Sequence, residues 1–305
     1  MGLIYRKRLL AAKIETTPGD AIALAAADAA VNVYDLKIVP ELALEERLGQ
    51  GVIDRLSSVI GEVAATVTFW VDMFGAAADP FWFATFLPAC SMPITTHAAI
   101  AKHEAVGTNV KTLTLGVYVD GNLNTLRGCH GNVVFRFTAG KRMRAEFTFK
   151  GVWVAPSAVA LLTPTHPAQT GIIFQSSALA FDAYQPQIQE LTIDLGNDVV
   201  PLYDSRALDG VAYFHGGGIR PKGTLDPLAS ALGTKNLYTE LTAGTTSALA
   251  IACGTAPNKI TVAAPKVQWT KVTPDERRPN ATERVEFDLL ESSGEDALTI
   301  TNVVA

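Results

Sequence analysis

Residues 111–154 constrain the fold more than any other stretch, because their side chains alternate with a period of two. Thr112–Val119 reads TLTLGVYV, rich in β-branched and aromatic residues. It ends at Asp120-Gly121 and Asn122, a pair that supplies the positive φ of a tight hairpin turn. Asn132–Thr138 (NVVFRFT) then sets Val133, Phe135 and Phe137 against Asn132, Val134, Arg136 and Thr138. After the break Ala139-Gly140-Lys141, Met143–Val154 sets Phe147 and Phe149 against Glu146, Thr148 and Lys150. One buried and one wetted face make this an antiparallel meander, not a βαβ unit.

Upstream, Glu62–Phe74 (EVAATVTFWVDMF) reads as a long strand, and Pro40–Gly61 as a long hairpin or loop projecting from the sheet. Asp79-Pro80 opens PFWFATFLPACSM, a short apolar helix with proline at its first position. Gly19–Ala30 is alanine-rich and reads as helix by propensity, without a clear apolar face. A linker with prolines at 156, 164 and 167 follows the meander. Beyond it the order of elements restarts. Gln189–Leu195 resembles Tyr34–Val39, the glycine-rich stretch Gly196–Gly218 matches Pro40–Gly61, and Ile219–Leu225 matches the start of the long strand. Asp226-Pro227 repeats the entry to a short helix (PLASAL), and strands recur at Ser247–Ala252, Lys259–Trp269, Glu283–Leu290 and Leu298–Val303. The expectation is two tandem, mainly β domains, 1–155 and 156–305. They are either a duplication or two unrelated β-rich units.

Charge and composition narrow the function. The chain of 305 residues is 48% hydrophobic, which excludes a disordered tail, and its three cysteines (90, 129, 253) make no disulfide scaffold. No apolar run reaches the roughly 20 residues of a membrane span, so a soluble chain with reduced thiols is expected. Residues 1–155 carry a net charge of +1 and 156–305 one of −6, which is no footprint of a protein that grips nucleic acid.

Catalytic and metal patterns fare poorly. His215-Gly216-Gly217-Gly218 looks like the oxyanion loop of esterases, but G-x-S-x-G is missing and no histidine follows. It is read as a hairpin returning into a strand. Cys90, His97, His103 and Glu104, or Cys129-His130, fit no compact zinc spacing. Lys141, Arg142 and Arg144, with Arg136 nearby, read as a hairpin tip and solvated face. Phe81, Trp82, Phe83 and Phe86 read as core packing against the sheet. No cofactor, metal or catalytic residue is expected.

The run LRGCHGNVVFRFTAGKRMRAEFTFKGVWVAP (126–156) resembles the tail tube, or major tail, proteins of long-tailed bacteriophages. So do LLAAKIETTPGD (9–20), PFWFATFLPACSM (80–92), LTIDLGNDVVP (191–201), GGGIRPKGTLDP (216–227) and VEFDLLESSGEDALTIT (285–301). The resemblance implies β-sandwich or barrel tube domains, each with a short flanking helix and a long projecting hairpin. It also implies a virion protein that self-assembles into stacked rings, forming the conduit through which double-stranded DNA reaches the bacterial host without specific binding. Other tail proteins would meet the tube ends, and no membrane insertion follows. The resemblance implies hexameric rings of one-domain subunits, as in most members; two domains here favour a trimer giving a pseudo-hexamer, with a hexamer as the alternative. Leu44, Leu48, Val52, Ile53, Leu56, Val59, Val199 and Leu202 are the expected contacts between subunits or rings. The alternative is a β-sandwich binding module, an adhesin or tail-tip component forming a single ring.

Overall fold

The alternation in 111–154 is realised as three long antiparallel strands. The structure, a computed structural model, describes residues 7–29, 31–50, 55–102, 110–207 and 209–304. The first half contributes β1 (Arg8–Ile14), β2 (Val33–Leu48), β3 (Arg55–Asp72), β4 (Ile94–Thr95) and β5 (Ala98–Ile100). It continues with β6 (Leu113–Val119), β7 (Asn122–Thr138) and β8 (Arg144–Ala158). After the proline-rich segment come β9 (Ala178–Phe181), β10 (Ile188–Asp194), β11 (Asn197–Tyr203), β12 (Val211–Ile219) and β13 (Lys222–Pro227). The chain then forms α1 (Leu237–Ala243), β14 (Thr246–Thr255), β15 (Asn258–Arg277), β16 (Asn280–Leu290) and β17 (Thr299–Val303). Asp120 and Gly121 turn β6 into β7 with φ of 41° and 95°, as that dipeptide requires.

Fifteen strands form one sheet, whose main path runs β2-β3-β8-β7-β10-β13-β16-β15-β17-β5-β4. In the first half β2, β3, β8 and β7 are neighbours, while β6 pairs β7 and β1 pairs β6. In the second half β10, β13, β16 and β15 are neighbours in the same way, while β14 pairs β15 and β9 pairs β14. The halves meet where Glu190–Asp194 of β10 lie antiparallel to Val134–Thr138 of β7, and again where β17 pairs β5. β7 therefore has β8 on one flank and β6 followed by β10 on the other, which explains why it outruns the 132–138 segment legible from alternation. β8 extends to Ala158, past the expected boundary at 155, so the linker begins later than its first proline suggests.

The core lies on the apolar face of this sheet and draws residues from both halves. The aromatic helix after Asp79-Pro80 forms as a π-helical turn, Trp82–Phe86, followed by a 3-10 turn, Pro88–Cys90. Its Phe86 ring packs 5.1 Å from Phe69 and 5.2 Å from Phe147, and Trp82 Nε1 donates to the Phe74 carbonyl at 3.0 Å. Core packing is thus its role, as the sequence indicates.

Two local expectations are corrected. Gly19–Ala30 is not a helix beyond a 3-10 turn at Ala26–Ala29; without an apolar face to bury, alanine propensity does not hold a helix together. Pro227 opens no helix but ends β13 opposite Ile188. The helix of this region lies ten residues later, where the Asn236 side chain accepts from the Thr239 N–H and Gly244 closes it at φ 64°.

The hairpins of the two halves differ in placement. β2 and β3 pair from Val33–Val71 out to Leu48–Arg55, and their outer portion is solvent-exposed. The hairpin of β11 and β12 folds back over the sheet, where Val211 and Phe214 bury Ala64 of β3 and Val152 of β8. Gly128 makes this approach possible. It sits at φ +57°, and a Cβ there would lie 2.7 Å from the Cβ of Tyr213.

Candidate assembly surface

The largest concentration of exposed apolar side chains among the described residues stands on the outer β2–β3 ribbon, which projects beyond the core with both faces exposed. Leu44 (59% exposed), Leu56 and Val59, all expected contacts, stand on this ribbon. Val39, Leu42 and Ile60 (60%) are also exposed on the ribbon and were missed; Ile60 lies opposite Leu44, while Val59 lies opposite Glu45 on the other face. Leu48 is the last residue of β2; Val52 and Ile53 lie outside the described residues. Val199 packs instead against the Ala64, Val152, Val211 and Phe214 cluster, and Leu202 is half-buried on β11. The two groups adjoin at the base of the ribbon, where Tyr203 Oη donates to Glu62 at 3.2 Å. Exposed apolar side chains gathered on one projecting ribbon mark an interaction surface.

Among the described residues several strands pair on one side only, β2 and the outer part of β15 among them. Among the described residues, β2 pairs with β3 alone. β15 is flanked by β14 as far as Gln268, but Lys271–Arg277 pair only with β16. Unpaired N–H and C=O groups along such edges accept a further strand.

The polar clusters act structurally. Ser91 Oγ lies 3.0 Å from His130 Nε2, and His130 Nδ1 donates to the Lys111 carbonyl at 3.2 Å. Asn197 adds a 2.7 Å bond to the Gly131 carbonyl. This Ser–His pair joins residues 39 apart in sequence and was not legible there. Ser91 is 4% and His130 3% exposed, so no substrate reaches the hydroxyl; the cluster ties the helical turns, β7 and β11 together. Gly216–Gly218 lie in β12, paired with β11, and His215 Nδ1 donates to the Gly216 carbonyl, so the glycine loop is strand.

Among the described residues, no group of three or more His, Cys, Asp or Glu side chains is placed to hold a metal ion. Cys90 and Cys129 are buried, and desolvation pushes both thiols well above their ordinary range. His97 pairs with Asp79 at 2.8 Å; His103 and Glu104 lie outside the described residues. The basic cluster is largely neutralised. Arg136 pairs with Glu146 at 2.8 Å, Arg142 with Asp72 at 2.5 Å and Arg144 with Glu146 at 3.9 Å, while Lys141 stays exposed. Among the described residues no helix is long and apolar enough to cross a membrane.

A broad antiparallel sheet with open edges and an exposed apolar ribbon defines a mainly β protein built to present surfaces. The phage tail tube protein family matches residues 6–289, nearly the whole chain, and the chain belongs to that family. It is a structural component of the bacteriophage virion. No curated protein matches it.

Proposed function

We propose that the chain self-assembles into rings that stack as the tail tube, the conduit for genome delivery into the bacterial host. The observation that carries this is a pair of open edges, β2 and the outer β15, at the ends of two successive four-strand sets with the same pairing order. The join of β10 to β7 brings the two sets into one sheet inside the molecule; joining β15 to β2 of another copy continues it. Residues 1–155 and 156–305 then act as duplicated tube domains, and three chains close a ring of six similar units. The −6 charge of residues 156–305 favours a lumen that repels phosphate, so that DNA passes without sticking. The β2–β3 ribbon reaches neighbouring subunits or rings through Leu44, Leu56 and Val59, with the inner β11 residues Val199 and Leu202 packing beside it.

Negative-stain electron microscopy of the purified chain tests this: stacked rings are expected, with a ring mass of three chains. Deletion of residues 44–59 is expected to leave a folded subunit that forms no tubes. Normal long tubes from the deletion variant would remove the ribbon's role. A chain that stays monomeric at high concentration would refute the proposal, and a single ring that never stacks would point to a tail-tip component.

A further inference from the structure

We propose that residues 273–277 of β15 in one copy receive residues 35–39 of β2 from a second copy, antiparallel, in the register that β10 takes on β7. The proposal rests on the ring reading and assigns the strands and residues of its joint. The register follows from the molecule's own pairing. Phe147 lies opposite Phe69 as Val285 lies opposite Leu225, so β8 and β16 align with Phe147 at Val285. Val133 faces Phe147 and Val272 faces Val285, which places Val134–Thr138 of β7 at Thr273–Arg277 of β15. In the same way Ile193 faces Gly223 as Ile38 faces Val67, and Phe287 and Phe149 lie beyond them. This places Glu190–Asp194 of β10 at Asp35–Val39 of β2. Burial agrees: Leu36 is buried and Ile38 half-buried, matching Leu191 and Ile193, while Asp35, Lys37 and Val39 point to solvent.

Copying the β10–β7 register sets Lys37 opposite Asp275 and Asp35 opposite Arg277, with Leu36, Ile38 and Val39 opposite Glu276, Pro274 and Thr273. Both charge pairs are of opposite sign, although nothing in the alignment selected for charge, and opposite charges directly across a ladder stabilise it. The internal joint has a similar feature, where Arg136 of β7 lies 4.0 Å from Glu190 of β10. A slip of two residues would set Lys37 against Arg277 or Thr273. Arg277 already holds Asp226 at 2.5 Å, so the discrimination falls mainly on Lys37 and Asp275, neither of which has an ion-pair partner among the described residues. Pro274 offers no N–H and the Leu36 carbonyl already accepts from Arg8, which keeps the free edges blunt until the matching strand arrives.

Charge reversal tests the register in the full-length chain. Lys37 and Asp275 are exposed, so Lys37→Glu and Asp275→Lys are expected to melt as the wild type does. Each alone is expected to cut sedimentable assembly at least tenfold, and the combined variant to restore it. The variant carrying Lys37→Cys and Asp275→Cys is expected to give covalent three-chain species on oxidation, over a background of three buried native thiols. Lys37→Cys with Thr273→Cys is expected to give far less. Normal assembly of either single reversal, or no rescue by the pair, overturns this joint while wild-type rings keep the ring reading intact. A wild-type chain that forms no rings removes both.

Discussion

Replacing Glu15 by glutamine changes one oxygen to an NH2 group at almost constant volume, and the surroundings make that change costly. Glu15 is 5% exposed. Its Oε2 accepts from the Gly19 N–H at 2.7 Å and the Thr112 hydroxyl at 2.6 Å. Its Oε1 accepts from the Gly128 N–H at 2.8 Å and the Thr114 hydroxyl at 2.9 Å. A hydroxyl can turn round and accept from an amide; a backbone N–H cannot. Whichever way the glutamine is flipped, its NH2 therefore faces either Gly19 or Gly128, and one buried donor loses its acceptor. A hydrogen bond to a charged group is worth about 1.5–3 kcal/mol and an orphaned donor costs about 1–3 kcal/mol; as these overlap, a net loss of about 3 kcal/mol is expected. Urea unfolding measures it as a lower midpoint at unchanged slope. Hydrogen exchange should accelerate first at Gly19 and Gly128, the second of which holds the left-handed turn beneath Tyr213. A loss below about 1 kcal/mol, or unchanged exchange at both amides, would refute the reasoning.

Phe86→Ala empties the centre of the cluster formed with Phe69, Phe81, Phe147 and Phe149 and is expected to cost about 3–5 kcal/mol in the same assay. A cost near that of a surface substitution would mean the helical turn is not packed on the sheet. The thiols give a pH test. Burial pushes Cys253 up to about 11 from 9.0 and raises Cys90 and Cys129 well above their ordinary range, so the fold disfavours all three thiolates. Stability is therefore full below about pH 9 and declines as pH rises towards about 11. At pH 8 a thiol reagent should modify none of the three until the chain is unfolded; rapid labelling of the native protein would contradict the burial.

The parts legible in the sequence are those written locally. Alternation at 132–138 and 143–154 marks β7 and β8 because each residue's face is set by its neighbours two places away. The projecting hairpin was read from its glycines and its mixed charged and aliphatic residues, which mark a projection without fixing which side chains it exposes. Propensity without periodicity misled at 19–30, where alanines have no common face, and at Asp226-Pro227, where a proline that opens helices ended an edge of pairing instead. The polar clusters were illegible because their partners are remote: Glu15 meets Thr112, Thr114 and Gly128, between 97 and 113 residues away, and Ser91 meets His130 and Asn197. Single carboxylates and hydroxyls carry no periodic signal that would announce such meetings.

The ladder of β10 on β7 has a mechanical consequence. With that ladder, the pairing of β17 with β5, a common core and the Ser91–His130–Asn197 knot all spanning the middle of the chain, the front and back portions cannot swivel against each other. The molecule behaves as a stiff tile. In the tube proposed above, bending and twisting would then fall at the seams between copies, not within them.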